Sequence, residues 1–304
     1  MRIGILIGET AGPATLGELR DHAHGMTDVW CPQALGWDAF TALTVAGLRE
    51  PHARLGTAVI PVRQRHPLTL AAQALSVQAA TGNRLTLGIG VGVAMMVTGM
   101  YGLPADRPVA FMREYLAGLL PLLRGEPVAV AGDFLTIAGT VDVPGAEPPA
   151  VLLAALGPAM LRLAGSSTDG VVTWMTGPRA LSEHVVPLVT AASAKPPRIV
   201  AGLPVCVTAD ADGARDRIAA RFGLAAQVPE YRRVLDIEGA GGAPDVALIG
   251  DEETVSRGLK RLAEAGVTEF AAAPFGTAEE KRRTLELLRA PASGHDDACS
   301  TPAR

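Results

Sequence analysis

The chain lacks any polybasic run, and its 27 Lys and Arg are outnumbered by 31 Asp and Glu, for a formal net charge of −4. Nucleic-acid phosphates and anionic lipid surfaces are bound by a basic footprint, so neither is expected as a partner. Cysteine is scarce. Cys31, Cys206 and Cys299 stand alone, with no C-x-x-C pair among them. An odd, widely spaced set argues against a disulfide framework and fits a reducing cytoplasm. Long apolar runs are missing too. The opening MRIGILIGET is too short for the core of a signal peptide, and no 18-residue apolar span follows, so a soluble cytoplasmic protein without a membrane segment is expected. Repeats and low-complexity blocks are absent outside the C-terminus. There RAPASGHDDACSTPAR turns polar and small, and residues 291–304 read as a disordered tail. His295, Asp296, Asp297 and Cys299 are of metal-ligating type, but a flexible tail preorganises no geometry, and no metal is expected.

What the chain does have is apolar content: 48% of its 304 residues are hydrophobic and 19% charged, enough to bury a sizeable core. Short apolar runs alternate with longer helical patterns. Strands are expected at Arg2–Gly8, Thr27–Pro32, Ala53–Pro61, Arg84–Gly90, Ala150–Leu156, Asp169–Met175, Arg198–Thr208 and Thr268–Gly276. Helices are expected at Leu16–Gly25, Asp38–Leu48, Leu68–Thr81 (after Pro67, stopped by Gly82-Asn83), from Pro158, from Pro178 to Ala192, after Thr208, and from a cap at Asp251 to Ala265. Two stretches break the rhythm. Residues 91–149 hold a long helix around Val109–Leu123 and a hairpin in PVAVAGDFLTIAG, and read as an insertion; a second, irregular stretch follows helix 7 and runs to Gly250. Eight near-continuous apolar strands, each followed by a helix, predict an α/β fold, a (β/α)8 TIM barrel with both strand faces buried; an open doubly wound sheet is the competing arrangement. Residues 1–290 read as one domain.

In such a barrel the strand C-termini carry the site. Here they are mostly apolar, small or amide, and few can titrate near neutral pH. Such a rim suits a flat, largely apolar cofactor better than a hydrolytic triad. Gly88, Gly90 and Gly92 alternate along the fourth strand, where a missing Cβ lets a planar ring or another backbone approach closely. As a dinucleotide fingerprint the pattern fails, because the third glycine is misplaced and no simple strand–turn–helix follows. Gly157-Pro158 opens a helix, with Pro in the first turn and free N–H groups that suit phosphate; a plain loop-to-helix start is the alternative. Cys31 has nothing nearby in sequence to lower its pKa, and reads as buried and inert. His22 and His24 lie two apart on a helix and share no face.

Three motifs in order carry a resemblance. They are Arg65-His66-Pro67 with Ala71-Ala72-Gln73, Ala79, Gly82-Asn83-Arg84 and Leu87 through Gly92; Ala155 through Gly165 with Thr168-Asp169-Gly170 and Trp174; and Gly266 through Phe270 with Pro274-Phe275-Gly276. In these the chain resembles the luciferase-like monooxygenase superfamily, in particular its branch of coenzyme F420-dependent oxidoreductases. The resemblance implies a bacterial-luciferase-like barrel holding the deazaflavin ring at the strand C-termini, with a non-prolyl cis peptide in strand three that forms a bulge backing the ring, which falls here at Ala58-Val59. It implies ring contacts from Cys31, Ala58, Val59, Ile60, Gly90, Gly92 and Trp174, and a phosphate site at Gly157, Pro158, Ala159 and Met160, with Arg162 nearby. Glu9 is the candidate proton donor or substrate-binding carboxylate, and Gln33 a candidate hydrogen-bond partner of ring or substrate. The family often has an acidic or His-containing pair after strand two, where this chain has Cys31-Pro32-Gln33. Trp37, His66 and Phe275 are candidate substrate contacts, with a loop-brace role for His66 and core packing for both Trp37 and Trp174 as alternatives. The expected activity is hydride transfer between F420 and a small organic molecule, reducing a conjugated C=C or C=N bond, in a pocket lidded by residues 91–149 and in a homodimer. The alternatives are an FMN-dependent monooxygenase of the same superfamily and a non-catalytic metabolite-binding barrel.

Overall fold

Eight parallel strands form in the computed structural model, which describes residues 1–8 and 15–289, with the backbone alone at 224 and 225. They are β1 (Arg2–Leu6), β2 (Asp28–Cys31), β3 (Arg54–Thr57), β4 (Leu85–Gly90), β5 (Ala150–Ala154), β6 (Gly170–Trp174), β7 (Arg198–Val207) and β8 (Glu269–Pro274). Each pairs with the next, and β8 pairs back onto β1, so the sheet closes into the expected (β/α)8 barrel. The strands are apolar along their length because the lumen buries one face and the surrounding helices the other.

Local chemistry sets the helix ends. Helix Pro67–Thr81 starts with Pro at its first turn and stops at Gly82, whose φ of +68° a residue without Cβ adopts freely. Helix Ala39–Arg49 starts where the Asp38 carboxylate accepts from the Thr41 N–H. Within residues 91–149 lie helix Ala94–Tyr101, helix Pro108–Leu123 and an antiparallel hairpin of Val128–Ala131 with Thr136–Gly139. The helical run Pro178–Ala192 contains a π turn at Leu181–Val185. Pro187 lies just beyond that turn. It has no N–H to give, and its ring crowds the carbonyl four residues back, which widens the turn.

One expectation needs correction. The stretch up to Gly250, read as irregular, forms helices Pro229–Glu238 and Ala243–Val246 and a short strand, Leu248–Gly250, which pairs with β7. Strand three, expected from Ala53 to Pro61 with a bulge at Ala58-Val59, breaks after Thr57 and resumes at Ile60–Pro61. Gly56 faces Thr86, but Ile60 faces Ile89, so three residues, 57–59, stand opposite two, 87 and 88. That is a bulge with one extra residue in β3.

The lumen is packed with Leu6, Trp30, Leu152, Val172, Val200, Ala271 and Ala273. Trp30 lies flat on Gly56, where any Cβ would come within 2.3 Å of its ring. Below this plug, ion pairs join the N-terminal ends of five strands, and a hydrogen bond adds a sixth. Asp28 binds Arg54 (2.8 Å) and Arg2 (3.5 Å), Glu269 binds Arg2 (2.8 Å) and Arg198 (2.6 Å), and Arg198 reaches the Thr86 hydroxyl (3.0 Å). The barrel is therefore closed at this end, and its open end is the C-terminal one. Among the described residues no helix is long and apolar enough to cross a membrane.

Candidate active site

The bulge in β3 forms one wall of the open end. Its Ala58-Val59 peptide is cis, at the position the resemblance implied. The bulge is tied on both sides. Ala58 donates its N–H to the Cys31 carbonyl (2.9 Å), and Gln33 donates to the Val59 carbonyl (3.3 Å). The Thr57 hydroxyl donates to the Gly88 carbonyl (2.7 Å) and accepts from the Gly88 N–H (2.8 Å), replacing the backbone ladder that the bulge interrupts. The glycines of β4 follow directly. A Cβ at Gly88 would sit 2.0 Å from the Thr57 carbonyl oxygen, and one at Gly90 3.1 Å from Val59 and 3.0 Å from Ala154. What comes close to β4 is thus the backbone and side chain of the bulge. Gly92 turns the chain, with a φ of +83°, and lies against Val97.

Ala58, Val59 and Trp174 pack on top of the lumen plug, so the floor of the open end is apolar. Trp174, Phe222 and Phe275 stand together on the opposite side. Trp174 meets Phe222 edge-on at 6.0 Å, and Phe222 meets Phe275 at 5.9 Å. Trp174 lies over Gly202, where a Cβ would come within 2.8 Å of its ring. Between these walls a planar group finds aromatic edges on one side and a bulged backbone on the other. Ile60, expected against the ring, is instead fully buried in the core shared with the outer helices, because alternation beyond the bulge turns its side chain outward.

Helix Pro158–Ser167 starts at Gly157 with no side-chain cap, so its first N–H groups have no intrahelical partner. A Cβ at Gly157 would meet nothing within 4 Å, and Ala159 is exposed, whereas the Met160 side chain turns into the core. His184, on the π turn, donates its Nε2–H to the Leu156 carbonyl (2.8 Å) and so fixes the residue that leads into this loop. An open glycine at an uncapped helix N-terminus has the donor chemistry that a phosphate needs.

Several candidates are engaged elsewhere. The Gln33 carbonyl oxygen accepts from the Ala39 N–H (3.0 Å) and from Arg65 (3.4 Å), and its amide donates to the Ala34 carbonyl (3.2 Å). It braces the loop after β2. His66 accepts from the Leu68 N–H at Nδ1 (3.3 Å) and donates from Nε2 to the Thr136 carbonyl (3.0 Å), which makes it the neutral tautomer and ties the hairpin to helix Pro67–Thr81. Its loop-brace role is the one the geometry supports. The Tyr115 hydroxyl donates to the Arg65 carbonyl (2.9 Å) and stiffens the same corner. Cys31 is fully buried; desolvation first, then the nearby Asp38 carboxylate, pushes its thiol up to about 12, so it stays protonated and inert. Trp37 is half-buried and packs on the core. Glu9 falls outside the described residues, as does the tail 291–304. Among the described residues no cluster of His, Cys, Asp or Glu is placed to hold a metal.

Thr57, Phe222 and His184 were missed from sequence. Thr57 looks like ordinary strand, Phe222 ends a helix with no motif around it, and only Pro187 hints at the π turn that aims His184. A cleft of about 240 Å³ between helices Leu16–Ala23 and Ala39–Arg49, lined by Arg20, His24, Arg49 and Glu50, lies in the outer helical layer, away from the strand ends.

The sequence profile of the luciferase-like monooxygenase family matches residues 22–269. The chain belongs to that family. It is 28% identical over 206 residues to the 5,10-methylenetetrahydromethanopterin reductase of Methanolobus tindarius, covering 66% of this chain and 63% of that protein. The chain thus spans a little under two thirds of that relative's length. It is 29% identical over 269 residues to the F420-dependent glucose-6-phosphate dehydrogenase of Beutenbergia cavernae, covering 84% of this chain and 73% of that protein. In fold it is similar to the coenzyme F420-dependent tetrahydromethanopterin reductase of Methanopyrus kandleri, with a TM-score of 0.73, 20% identity, and 95% and 97% of the two chains covered.

Proposed function

We propose that this luciferase-like family member is an F420-dependent oxidoreductase that transfers a hydride between the deazaflavin and a small organic acceptor, reducing a conjugated C=C or C=N bond. The observation that carries the reading is the open barrel end itself. It has an apolar floor, the Thr57–Val59 bulge on one side, Trp174 and Phe275 on the other, and an uncapped helix start at Gly157. The sequence likeness to an F420-dependent dehydrogenase supports the choice of cofactor.

When bound, F420 supplies a hydride to one atom of the acceptor and is itself oxidised. This chain's residues do the rest. Ala58, Val59 and Gly90 back the ring, Trp174 flanks it, and the N–H groups of Ala159 and Met160 hold the phosphate, with the Arg162 cation nearby. The apolar floor excludes water, and the bulge and aromatic wall fix the reacting geometry. One proton must reach the atom next to the one that takes the hydride. Gln33 cannot supply it, having no acid proton, and Glu9 is the proposed source.

The test is an equilibrium titration of pure protein with oxidised F420 and, separately, with FMN, followed by tryptophan fluorescence. Saturable quenching by F420, with FMN at least tenfold weaker, is expected. Binding of FMN alone moves the reading to an FMN-dependent monooxygenase, and binding of neither moves it to a non-catalytic barrel.

A further inference from the structure

Trp174, the proposed flank of the cofactor ring, has a backbone that is fixed on its far side. The next residue, Met175, is buried and takes a left-handed conformation (φ +53°) that a residue with a side chain seldom adopts. Its N–H donates to the Gly202 carbonyl (3.2 Å), and the Thr176 hydroxyl donates to the Trp174 carbonyl (3.2 Å). Such an outlier persists only where its surroundings enforce it, and outliers cluster at functional sites. Here it turns the chain sharply just beyond the indole. The backbone leaves the torsion of the indole itself open, and that is settled by packing. The ring lies over Gly202, and Phe222 meets it edge-on, with centroids 6.0 Å apart and planes at 70°.

Phe222 does not belong to the barrel. It closes helix Ala211–Phe222, the first element of a segment between β7 and the helix Glu252–Glu264. A (β/α)8 barrel needs one helix there, and this chain interposes Ala211–Phe222, Pro229–Glu238 and Ala243–Val246 before it. The segment is tied to the strand-end loops both before and after Phe222. Before it, Arg217 donates to Glu280 (2.7 Å) on the helix that follows β8; Glu280 also accepts from the Thr208 hydroxyl (2.7 Å) and the Thr277 N–H (2.7 Å). After it, Glu238 accepts from the Ala180 N–H (2.8 Å) at the start of the helix that follows β6, and a Cβ at Gly177 would come within 2.3 Å of its carboxyl carbon. Phe275, just past β8, backs Phe222 at 5.9 Å. The Phe222 ring is thereby held between Phe275 and Trp174.

Resting on the F420 reading, we infer that Phe222 is a positioning residue for hydride transfer: from outside the barrel it holds the Trp174 indole in the orientation against which deazaflavin and acceptor are aligned. Edge-on aromatic pairs at this separation favour one mutual orientation. Without the Phe222 ring the indole gains room to rotate. Transfer depends steeply on alignment, and a misplacement of about 1 Å can cost roughly a hundredfold in rate. Binding of F420 draws on the floor, the bulge and the helix start at Gly157, so it does not need the indole in a single rotamer.

The test compares Phe222→Leu and Phe222→Tyr with the wild type. The tryptophans are Trp30, Trp37 and Trp174, so ¹⁵N-indole labelling gives one signal from each, and Trp174→Phe assigns the one that matters. In Phe222→Leu the Trp174 signal alone should broaden or split. With reduced F420 and a conjugated enone, kcat and kcat/KM should fall together by about tenfold or more, while F420 affinity stays within about threefold. Phe222→Tyr, which keeps the ring, should restore both signal and rate. Phe222→Met keeps most of the volume without the ring, and carries the same expectation as leucine should the leucine variant fail to fold. If the Trp174 signal and kcat of the ringless variant match the wild type, if all three indole signals move, or if F420 affinity falls as far as kcat, the inference is overturned while the F420 function stands. If F420 does not bind the wild type but the Trp174 signal alone responds to the loss of the ring, the cofactor reading falls and the hold of Phe222 on Trp174 stands.

Discussion

Replacing Gly88 with Ala should be among the more damaging single methyls that can be added to this protein's barrel. Gly88 has an ordinary strand backbone, so left-handed torsion is not at issue. The problem is space: the new Cβ would sit 2.0 Å from the Thr57 carbonyl oxygen and 3.1 Å from the Val59 side chain. The nearer atom is backbone and cannot swing away, so the Thr57–Val59 segment must move. Overpacking of this kind destabilises by about 1–3 kcal/mol. The displacement also breaks the two hydrogen bonds between the Thr57 hydroxyl and Gly88, at 2.7 and 2.8 Å, together about 1–3 kcal/mol. The expected loss is therefore about 2–6 kcal/mol, which lowers Tm by roughly 4–24 °C at 2–4 °C per kcal/mol. Gly157→Ala is the control. It faces open space with a φ of −82°, and should lose less than about 1 kcal/mol. Calorimetry and urea melts of the two variants beside the wild type decide the matter. A Gly88→Ala protein that melts with the wild type would mean that the β3 bulge does not press on β4 as described.

Other outcomes follow from the same geometry. His184→Ala should weaken F420 binding about tenfold by freeing the Leu156 carbonyl, yet leave affinity for the phosphate-free deazaflavin chromophore unchanged; an equal loss for both would make His184 a packing residue only. Burial pushes the Asp28 carboxyl up, but hydrogen bonds and attraction from Arg54, with help from Thr27 and Arg2, outweigh it and leave its pKa lowered. Its stabilisation is complete above the ordinary value near 3.8 and is lost as pH falls through the folded value, so Asp28→Asn should be less stable by about 3 kcal/mol at pH 7 and converge with the wild type in acid. Burial pushes Cys31 up to about 12 and, with Glu280 adding, Cys206 up to about 11. At pH 8 neither should react with iodoacetamide until urea unfolds the chain, which peptide mapping will show.

Much of the barrel is legible in the sequence because its signals are local. Helix Pro67–Thr81 is bracketed by Pro67 and Gly82, and the apolar runs from β4 to β8 announce strands buried on both faces. The bulge in β3 is not legible from pattern, since Val59-Ile60 continues an apolar run whatever the peptide geometry, and only the family resemblance pointed to it. The helix Pro229–Glu238 was missed although Pro229 at its start and Gly239 at its end (φ +79°) are the usual markers; its polar surface hid them. Gln33 and His66 stand in suggestive positions, but hydrogen bonds to Ala39 and Thr136, distant or unpatterned in sequence, hold them as braces. Long-range partners decide the role of a polar side chain, and one sequence does not display them.

The central claim is hydride transfer from the deazaflavin rather than oxygen insertion. Reduced F420 carrying deuterium at the transferable ring carbon, incubated with protein and a neutral enone under ¹⁸O₂, tests it in a single mass spectrum of the product. Deuterium in the product without ¹⁸O is the predicted result. A product that carries ¹⁸O and no deuterium would contradict the account.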